Sequence, residues 1–345
     1  MPVVFGAKQF AHDAHTLLFA LSVLAIVPLA ALLSHATESV AAKTGDAVGG
    51  LLNATLGNLT ELVIALTALR AGQYVLVKAS LAGAIVTNTL FMLGASLLLG
   101  GLKYRVQEFN RVSARMQASL LFLATVALLI PSAVSQADAA GAAFTQQLSV
   151  GLSVLLIIAY ALSMLFSLKT HPDVFASAES AEAGHAPSWS MGLALATLAG
   201  VTVLVALVSE IFVESVQKAA ETLGMTPAFV GFIVVALVGA AAEMASAFAG
   251  ARKNRLDLSV GIALGSASQI ALFVAPVLVL ISYVIGPTPM DLQFWPGAVV
   301  MMFIATMAAS MVTNGGRSAW FVGVLLLMVY AIFGMTLYLL PPRVG

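Results

Sequence analysis

Residues 47–70 read AVGGLLNATLGNLTELVIALTALR, an apolar run of membrane-crossing length that carries one carboxylate, Glu61, inside it. About 20 predominantly apolar residues are enough to cross the hydrocarbon core of a bilayer. A charge near the centre of such a span costs roughly 2.5–3.5 kcal/mol on insertion scales, so Glu61 needs a reason to be there. Residues 226–251, TPAFVGFIVVALVGAAAEMASAFAGA, repeat the device: Glu243 lies four positions after Gly239, as Glu61 lies four after Gly57.

The rest of the chain fits this reading. Of 345 residues 61% are hydrophobic and 9% charged, with a mean hydropathy of +1.03. A soluble domain carries about 25% charged residues, so the solvent here is lipid. Apolar segments at 16–41, 47–70, 77–101, 116–136, 146–168, 190–220, 226–251, 257–285, 294–313 and 318–340 are each long enough to span. They must be helices, because a backbone in lipid has to satisfy its polar groups within its own segment. The expected fold is an all-α polytopic membrane protein of about ten transmembrane helices. The first span has a weakly charged start, Lys8 alone, and runs on to Glu38, unlike a signal peptide.

Several classes drop out. The net charge is zero, which suggests no nucleic-acid partner, and the absence of cysteine excludes disulfides and thiolate sites. His12, His15, His35, His171 and His185 do not pair at metal-ligand spacing. There is no GxxxxGK[ST] loop for an ATP-driven pump. The spans hold no Ser/His, Ser/Lys or paired-Asp constellation, so neither an enzyme nor a resident cofactor is expected.

Loop charge gives orientation, since Lys and Arg accumulate on the cytoplasmic side. With ten spans, one set of alternate loops holds Lys43, Lys103, Arg105, Arg111, Arg115, Lys169, Arg252, Lys253, Arg255 and Arg317. The other side holds Lys8, Arg70, Lys78, Lys218 and Arg343. The first set is expected in the cytoplasm, with both termini outside an inner cell membrane. The loop 169–189, with Asp173, Glu179 and Glu182, is then cytoplasmic and divides the chain into five-helix repeats at 1–168 and 190–345.

The repeats match in order. Ala36-Thr37-Glu38 answers Val208-Ser209-Glu210, and Gly57-Asn58-Leu59-Thr60-Glu61 answers Gly239-Ala240-Ala241-Ala242-Glu243. Gly83-Ala84-Ile85-Val86-Thr87-Asn88 then answers Gly265-Ser266-Ala267-Ser268-Gln269; Asn88 follows Glu61 by 27 positions and Gln269 follows Glu243 by 26. An odd number of helices per copy inverts the second, the arrangement of secondary transporters whose site lies at the midplane between repeats. Gly57, Gly239 and Gly265 allow a helix to break or pack closely, which would add unwound carbonyls to the ligand set. A lone intramembrane glutamate can be structural, and Asn88 and Gln269 can be interhelical hydrogen-bonding glue. Glu38 and Glu210 lie nearer helix ends, and Glu214 reads as interfacial. Recurrence in one order favours function for Glu61 and Glu243.

Two carboxylates with amide, hydroxyl and backbone oxygens form a hard cage of the kind Ca²⁺ prefers. Burial disfavours the charged form of a carboxylate, and a nearby cation favours it. Such a pair is comfortable either deprotonated around a divalent cation or protonated and empty. An empty, doubly charged site is too costly to move through the membrane, so only loaded states switch access and proton flux is coupled to cation flux. A proton-coupled cation antiporter is therefore expected. A channel would build its ring from several subunits, whereas the symmetry here is internal. A monovalent version, with one glutamate serving protons only, stands as the alternative.

The stretch Gly49-Gly50-Leu51-Leu52-Asn53-Ala54-Thr55-Leu56-Gly57-Asn58, followed by Glu61, resembles the first repeat of the Ca²⁺/H⁺ exchangers of the cation/proton exchanger family, in the Ca²⁺/cation antiporter superfamily. Val238 to Glu243, Asp257-Leu258 and Gly265 to Pro276 resemble the second, and the likeness runs on to Asn314-Gly315-Gly316 and Trp320. The resemblance implies that Glu61 and Glu243 bind the metal cation and protons in turn. It implies that Asn58, Asn88, Ser266 and Gln269 lie at or beside the site and that Glu38 and Glu210 line access paths; Gly57, Gly239 and Ser268 of the matched motifs are expected at the site with them. Ala240 and Met244 depart from the family's usual Asn and frequent His, and the acidic residue often found near Arg317 is absent. Met1 to His15 is too short and polar for the extra first helix of most relatives. Ca²⁺ and protons are the implied substrates, with Na⁺, K⁺ or Mn²⁺ left open by the missing amide; a homo-oligomer is compatible with all of this.

Overall fold

The computed structural model describes residues 2–10, 13–44, 46–134, 139–171 and 189–339. Its helices are α1 (Pro2–Phe10), α2 (His15–Ala41), α3 (Asp46–Leu56), α4 (Leu59–Arg70), α5 (Tyr74–Tyr104), α6 (Arg111–Val134) and α7 (Ala139–Leu165) in the first half. The second half holds α8 (Met191–Thr222), α9 (Pro227–Gly239), α10 (Ala241–Arg252), α11 (Leu256–Ile285), α12 (Pro296–Thr313) and α13 (Trp320–Leu339). Eight helices among the described residues are long and apolar enough to cross a membrane, and α9 with α10, bent by 59° at their junction, make a ninth if taken as one span. The α3–α4 segment is its broken counterpart, consistent with ten crossings. Leu325, Met328, Ile332 and Met335 stand exposed along α13, as a lipid-facing helix requires. The chain is an all-α, multi-pass membrane protein.

The internal repeat is visible in the backbone. Helices resume after Asn58 (itself preceded by non-helical Gly57) and after Ala240, end at Arg70 and Arg252, turn through left-handed φ at Gly72 (70°) and Asn254 (62°), and restart at Tyr74 and Leu256. Each second member lies 182 positions after its mate. Both runs expected as continuous spans, 47–70 and 226–251, are thus interrupted at the same place.

Contacts between loops sort into two faces. On one, β1 (Val106–Glu108) pairs antiparallel with β2 (Arg317–Ala319), Gln107 Nε2 donates to Ala251 O (3.0 Å) and Asn254 Oδ1 (2.9 Å), and Lys103 Nζ donates to Arg252 O (3.0 Å). On the other, Tyr74 Oη donates to Thr288 O (2.6 Å), Lys78 pairs with Asp291 (2.5 Å), and Phe294 N donates to Ser132 Oγ (2.8 Å). A chain that crosses ten times puts the loops after its third, seventh and ninth spans on one side and those after its second, fourth and eighth on the other. The observed contacts obey that grouping. The small sheet was not foreseen, since three-residue strands carry no usable alternation.

At the amino end α1 packs on α2, and Lys8 pairs with Glu214 at 2.8 Å in an exposed bridge. Residues 172–188, which hold Asp173, Glu179, Glu182 and His185, lie outside the described residues, as do His12 and Arg343.

Single cysteines test the two faces in a chain that has none of its own. Lys253→Cys and Gly315→Cys should label from one side of the membrane and Thr288→Cys from the other in intact cells; labelling of Gly315→Cys and Thr288→Cys from the same side would refute the ten-crossing arrangement.

Candidate functional site

Asn58 (φ −96°, ψ 28°) and Ala240 (φ −79°, ψ 6°) break their helices in nearly the same conformation. Their carbonyls still open the next half-helix, Asn58 O accepting from Leu62 N (3.0 Å) and Ala240 O from Met244 N (2.8 Å). Glu61 and Glu243 are the third residues of α4 and α10. The first turn of a helix has free N–H groups and a partial positive charge. That is the one backbone environment inside a span that offsets part of the cost of a carboxylate.

Both glutamates are half-buried. Glu61 reaches the other repeat: a Cβ placed on Gly239 would stand 3.0 Å from Glu61 Cγ and 3.2 Å from Glu61 Oε1, so the bare backbone at Gly239 gives the side chain its room. Glu61 Oε1 is buried with no hydrogen-bond partner. A buried acceptor left in that state costs about 1–3 kcal/mol, more when charged, and either a proton or a cation would relieve it.

Beside the breaks, a chain of polar side chains joins the two repeats. Asn58 Nδ2 donates to Gln269 Oε1 (2.6 Å), Ser266 Oγ donates to Asn58 Oδ1 (2.7 Å), and Asn88 Nδ2 donates to Ser266 Oγ (2.8 Å). Asn58, Asn88 and Ser266 are buried, and Asn88 Oδ1 has no partner. Gly57 lies against the same group, its added Cβ falling 3.8 Å from Gln269 Oε1. Both third spans wind into π-helical turns here, Thr87–Met92 and Ile270–Val274, a distortion frequent at functional sites. Ser268 faces elsewhere, its hydroxyl donating to Gln117 O of α6 (3.2 Å). Glu38 accepts from Ser34 Oγ (3.1 Å), and Glu210 is exposed on α8. Among the described residues no cluster of three or more Asp, Glu, His or Cys could hold a metal. A cation here would draw on two carboxylates and on amide, hydroxyl and carbonyl oxygens.

The polar chain is one-sided. In the register set by Tyr74 and Leu256, Ser266 corresponds to Ala84, Gln269 to Thr87, Asn88 to Ile270, and Asn58 to Ala240. The symmetry mate of the Asn58–Ser266 hydrogen bond would therefore join Ala240 to Ala84, and both polar groups are missing together. Thr87 instead shares a hydrogen bond with Tyr330 (3.1 Å). Pairing Asn88 with Gln269 by distance from the glutamates is one residue out, and one residue turns a helix by about 100°. The matched glycines Gly83 and Gly265 carried the correct register.

The half-helices are seated differently. At Gly83 an added Cβ would collide with the Phe232 backbone, and at Gly231 it would stand 2.6 Å from Ala79 Cβ, so α9 lies closed against α5. Its mate α3 rests through Gly49 on the Ala41 backbone of α2, with Val48 and Leu51 exposed.

Comparison with known proteins gives a consistent result. The pattern of the family described as "Sodium/calcium exchanger protein" matches residues 14–169 and 193–339. The Ca²⁺/H⁺ antiporter of Aphanothece halophytica is 40% identical over 344 residues, covering 95% of this chain and 92% of the relative. The Ca²⁺/H⁺ antiporter ChaA of Bacillus subtilis is 42% identical over 332 residues, covering 95% and 94%. Among solved structures, native YfkE superposes with a TM-score of 0.84 at 37% identity, covering 98% of this chain and 97% of that one.

The one-sided polar chain makes a prediction for thermal unfolding. Ala240→Asn alone should destabilise by about 1–3 kcal/mol, because it buries an amide opposite Ala84 with nothing to bond. Adding Ala84→Ser should recover most of that loss; simple additivity of the two changes would contradict the register.

Proposed function

The chain belongs to the sodium/calcium exchanger protein family, alongside relatives that are Ca²⁺/H⁺ antiporters, and from that premise we propose that it exchanges Ca²⁺ for H⁺ across a cell membrane by alternating access. The observation that carries the reading is the pairing of Glu61 and Glu243 at equivalent half-helix starts, one aimed past the bare backbone of Gly239 with a carboxylate oxygen left unbonded. The activity is transport, not chemical conversion. Protons and Ca²⁺ are the substrates, no cofactor is required, and the residues 1–168 and 190–345 act as the two inverted repeats.

The mechanism follows from charge. With Ca²⁺ bound, both carboxylates are deprotonated and the ion's charge balances theirs; Asn58, Asn88, Ser266 and Gln269 supply or orient the neutral oxygens a hard cation needs. As Ca²⁺ leaves, protons neutralise the carboxylates. The state with neither stays trapped, because two bare charges cannot be carried through low-dielectric packing. Seating of α9 on α5, against α3 seated on α2 with Val48 and Leu51 exposed, supports a reading in which one access route is shut and the other open. Exchange of these two seatings would switch access. We assign the face of Lys103, Lys253 and Arg317 to the cytoplasm, from its excess of Lys and Arg, which puts the termini outside. Glu38, bonded to Ser34, and exposed Glu210 serve as path residues rather than ligands.

The monovalent alternative fails to use the second carboxylate. Two acidic side chains and several neutral oxygens match the charge and coordination of Ca²⁺ better than those of Na⁺ or K⁺.

Proteoliposomes with an imposed pH gradient test the proposal. Added Ca²⁺ should dissipate the gradient, Na⁺ and K⁺ should not, and Glu61→Gln should reduce the rate to that of protein-free vesicles. Dissipation by monovalent ions alone would remove the Ca²⁺ assignment, and full activity in Glu61→Gln would remove the mechanism.

A further inference from the structure

The matched triplets Ala36-Thr37-Glu38 and Val208-Ser209-Glu210 contain two hydroxyls that the exchange mechanism leaves unused. Thr37 is 1% exposed and Ser209 0%, and neither hydroxyl oxygen has a hydrogen-bond partner. The buried hydroxyls of Ser22 and Ser96 share that state, but it is not general. The buried hydroxyls of Ser39, Thr89, Thr125 and Ser215 each donate to the carbonyl one turn back, at 2.7–2.8 Å. Thr37 and Ser209 forgo that local bond and stay unsatisfied, although each is directly followed by a glutamate, Glu38 or Glu210.

Their placement is crossed between the repeats. The span that holds Ser209, α8, packs against α4, which carries Glu61, and the span that holds Thr37, α2, packs against α10, which carries Glu243. Each hydroxyl thus sits on an element packed against the half-helix that carries the opposite repeat's glutamate. Ca²⁺ takes 6–8 oxygen ligands, and on the Glu243 side the chain has given up the amide and hydroxyl positions at Ala240 and Ala84.

We propose that Thr37 and Ser209 complete the oxygen set of the Ca²⁺-loaded site, Thr37 acting with Glu243 and Ser209 with Glu61 when α2 and α8 close over the half-helices. This rests on the exchange reading above. In the loaded molecule their two lone pairs fit a hard cation directly or through its water.

The test uses full-length protein in proteoliposomes and in detergent, with wild type and Glu61→Gln run alongside. Thr37→Val and Ser209→Ala should each raise the Ca²⁺ KM by about tenfold, within the range seen when a metal site loses a supporting group. Without Ca²⁺ their unfolding temperatures should equal or exceed that of wild type, because an unsatisfied buried polar group has been removed. The stabilisation that Ca²⁺ confers on wild type should shrink in both, and Thr37→Ser should restore it. Variants with wild-type KM and wild-type Ca²⁺ stabilisation would overturn the assignment, as would a lowered unfolding temperature with unchanged KM, the mark of a merely structural bond. If wild type itself moved no protons with Ca²⁺, the exchange reading would fall and this inference with it. Variants that match an active wild type overturn this inference alone.

Discussion

A carboxylate held away from water needs a donor, a counter-cation or a proton, and the arrangement of this protein follows from how little of the first the spans provide. Glu61 and Glu243 each stand in the first turn of a half-helix, where backbone N–H groups and the end of the helix dipole give partial relief. The relief is incomplete, as the unbonded Glu61 Oε1 records. The remainder has to come from something that can leave. Breaking the two spans at Asn58 and Ala240 serves this end, since a continuous helix would have buried the same side chains with every backbone donor already used.

Most of the surrounding packing exists to bring those two breaks together. Gly239 yields its side chain so that Glu61 can enter the opposite repeat, while Asn58 ties its own break to Ser266 and Gln269 of α11. Away from the breaks, the loops clamp each face separately: Lys78 and Tyr74 hold the segment around Thr288 and Asp291 on one side, and Gln107 holds the turn after α10 on the other. The two faces therefore have separate fastenings.

The polar chain qualifies the symmetry. Two inverted repeats suggest two equal halves of a site, yet Asn58, Asn88, Ser266 and Gln269 cluster on one, and Ala240, Ala84 and Ile270 occupy the matching positions. Ala240 and Ala84 would have bonded each other, and the loss of both leaves no orphaned partner behind. The break before Glu61 is accordingly tied by side-chain hydrogen bonds, while the matching positions beside Glu243 carry no such groups.

Much of this was legible in the sequence, and the exceptions have physical reasons. Apolar runs with an embedded glutamate announce themselves through the cost of charge in lipid, so the membrane class and the matching positions of Glu61 and Glu243 along the chain could be read directly. The break positions could not, because neither Asn58 nor Ala240 is a strong helix breaker and the preceding glycines permit a break without requiring one. Register was hidden as well: counting from the glutamates paired Asn88 with Gln269, and only the helix restarts at Tyr74 and Leu256 show the one-residue offset. Ser268 looked equivalent to Ser266 on paper, but two residues along a helix turn it away, onto Gln117 of α6.

The central claim is that protons and Ca²⁺ compete for the same carboxylates, and calorimetry of Ca²⁺ binding to the detergent-solubilised protein in buffers of different ionisation enthalpy tests it most directly. Proton release on Ca²⁺ binding is predicted for wild type and should fall when either Glu61→Gln or Glu243→Gln is introduced. Ca²⁺ binding of undiminished affinity with no proton released, or release unchanged in both variants, would contradict the account.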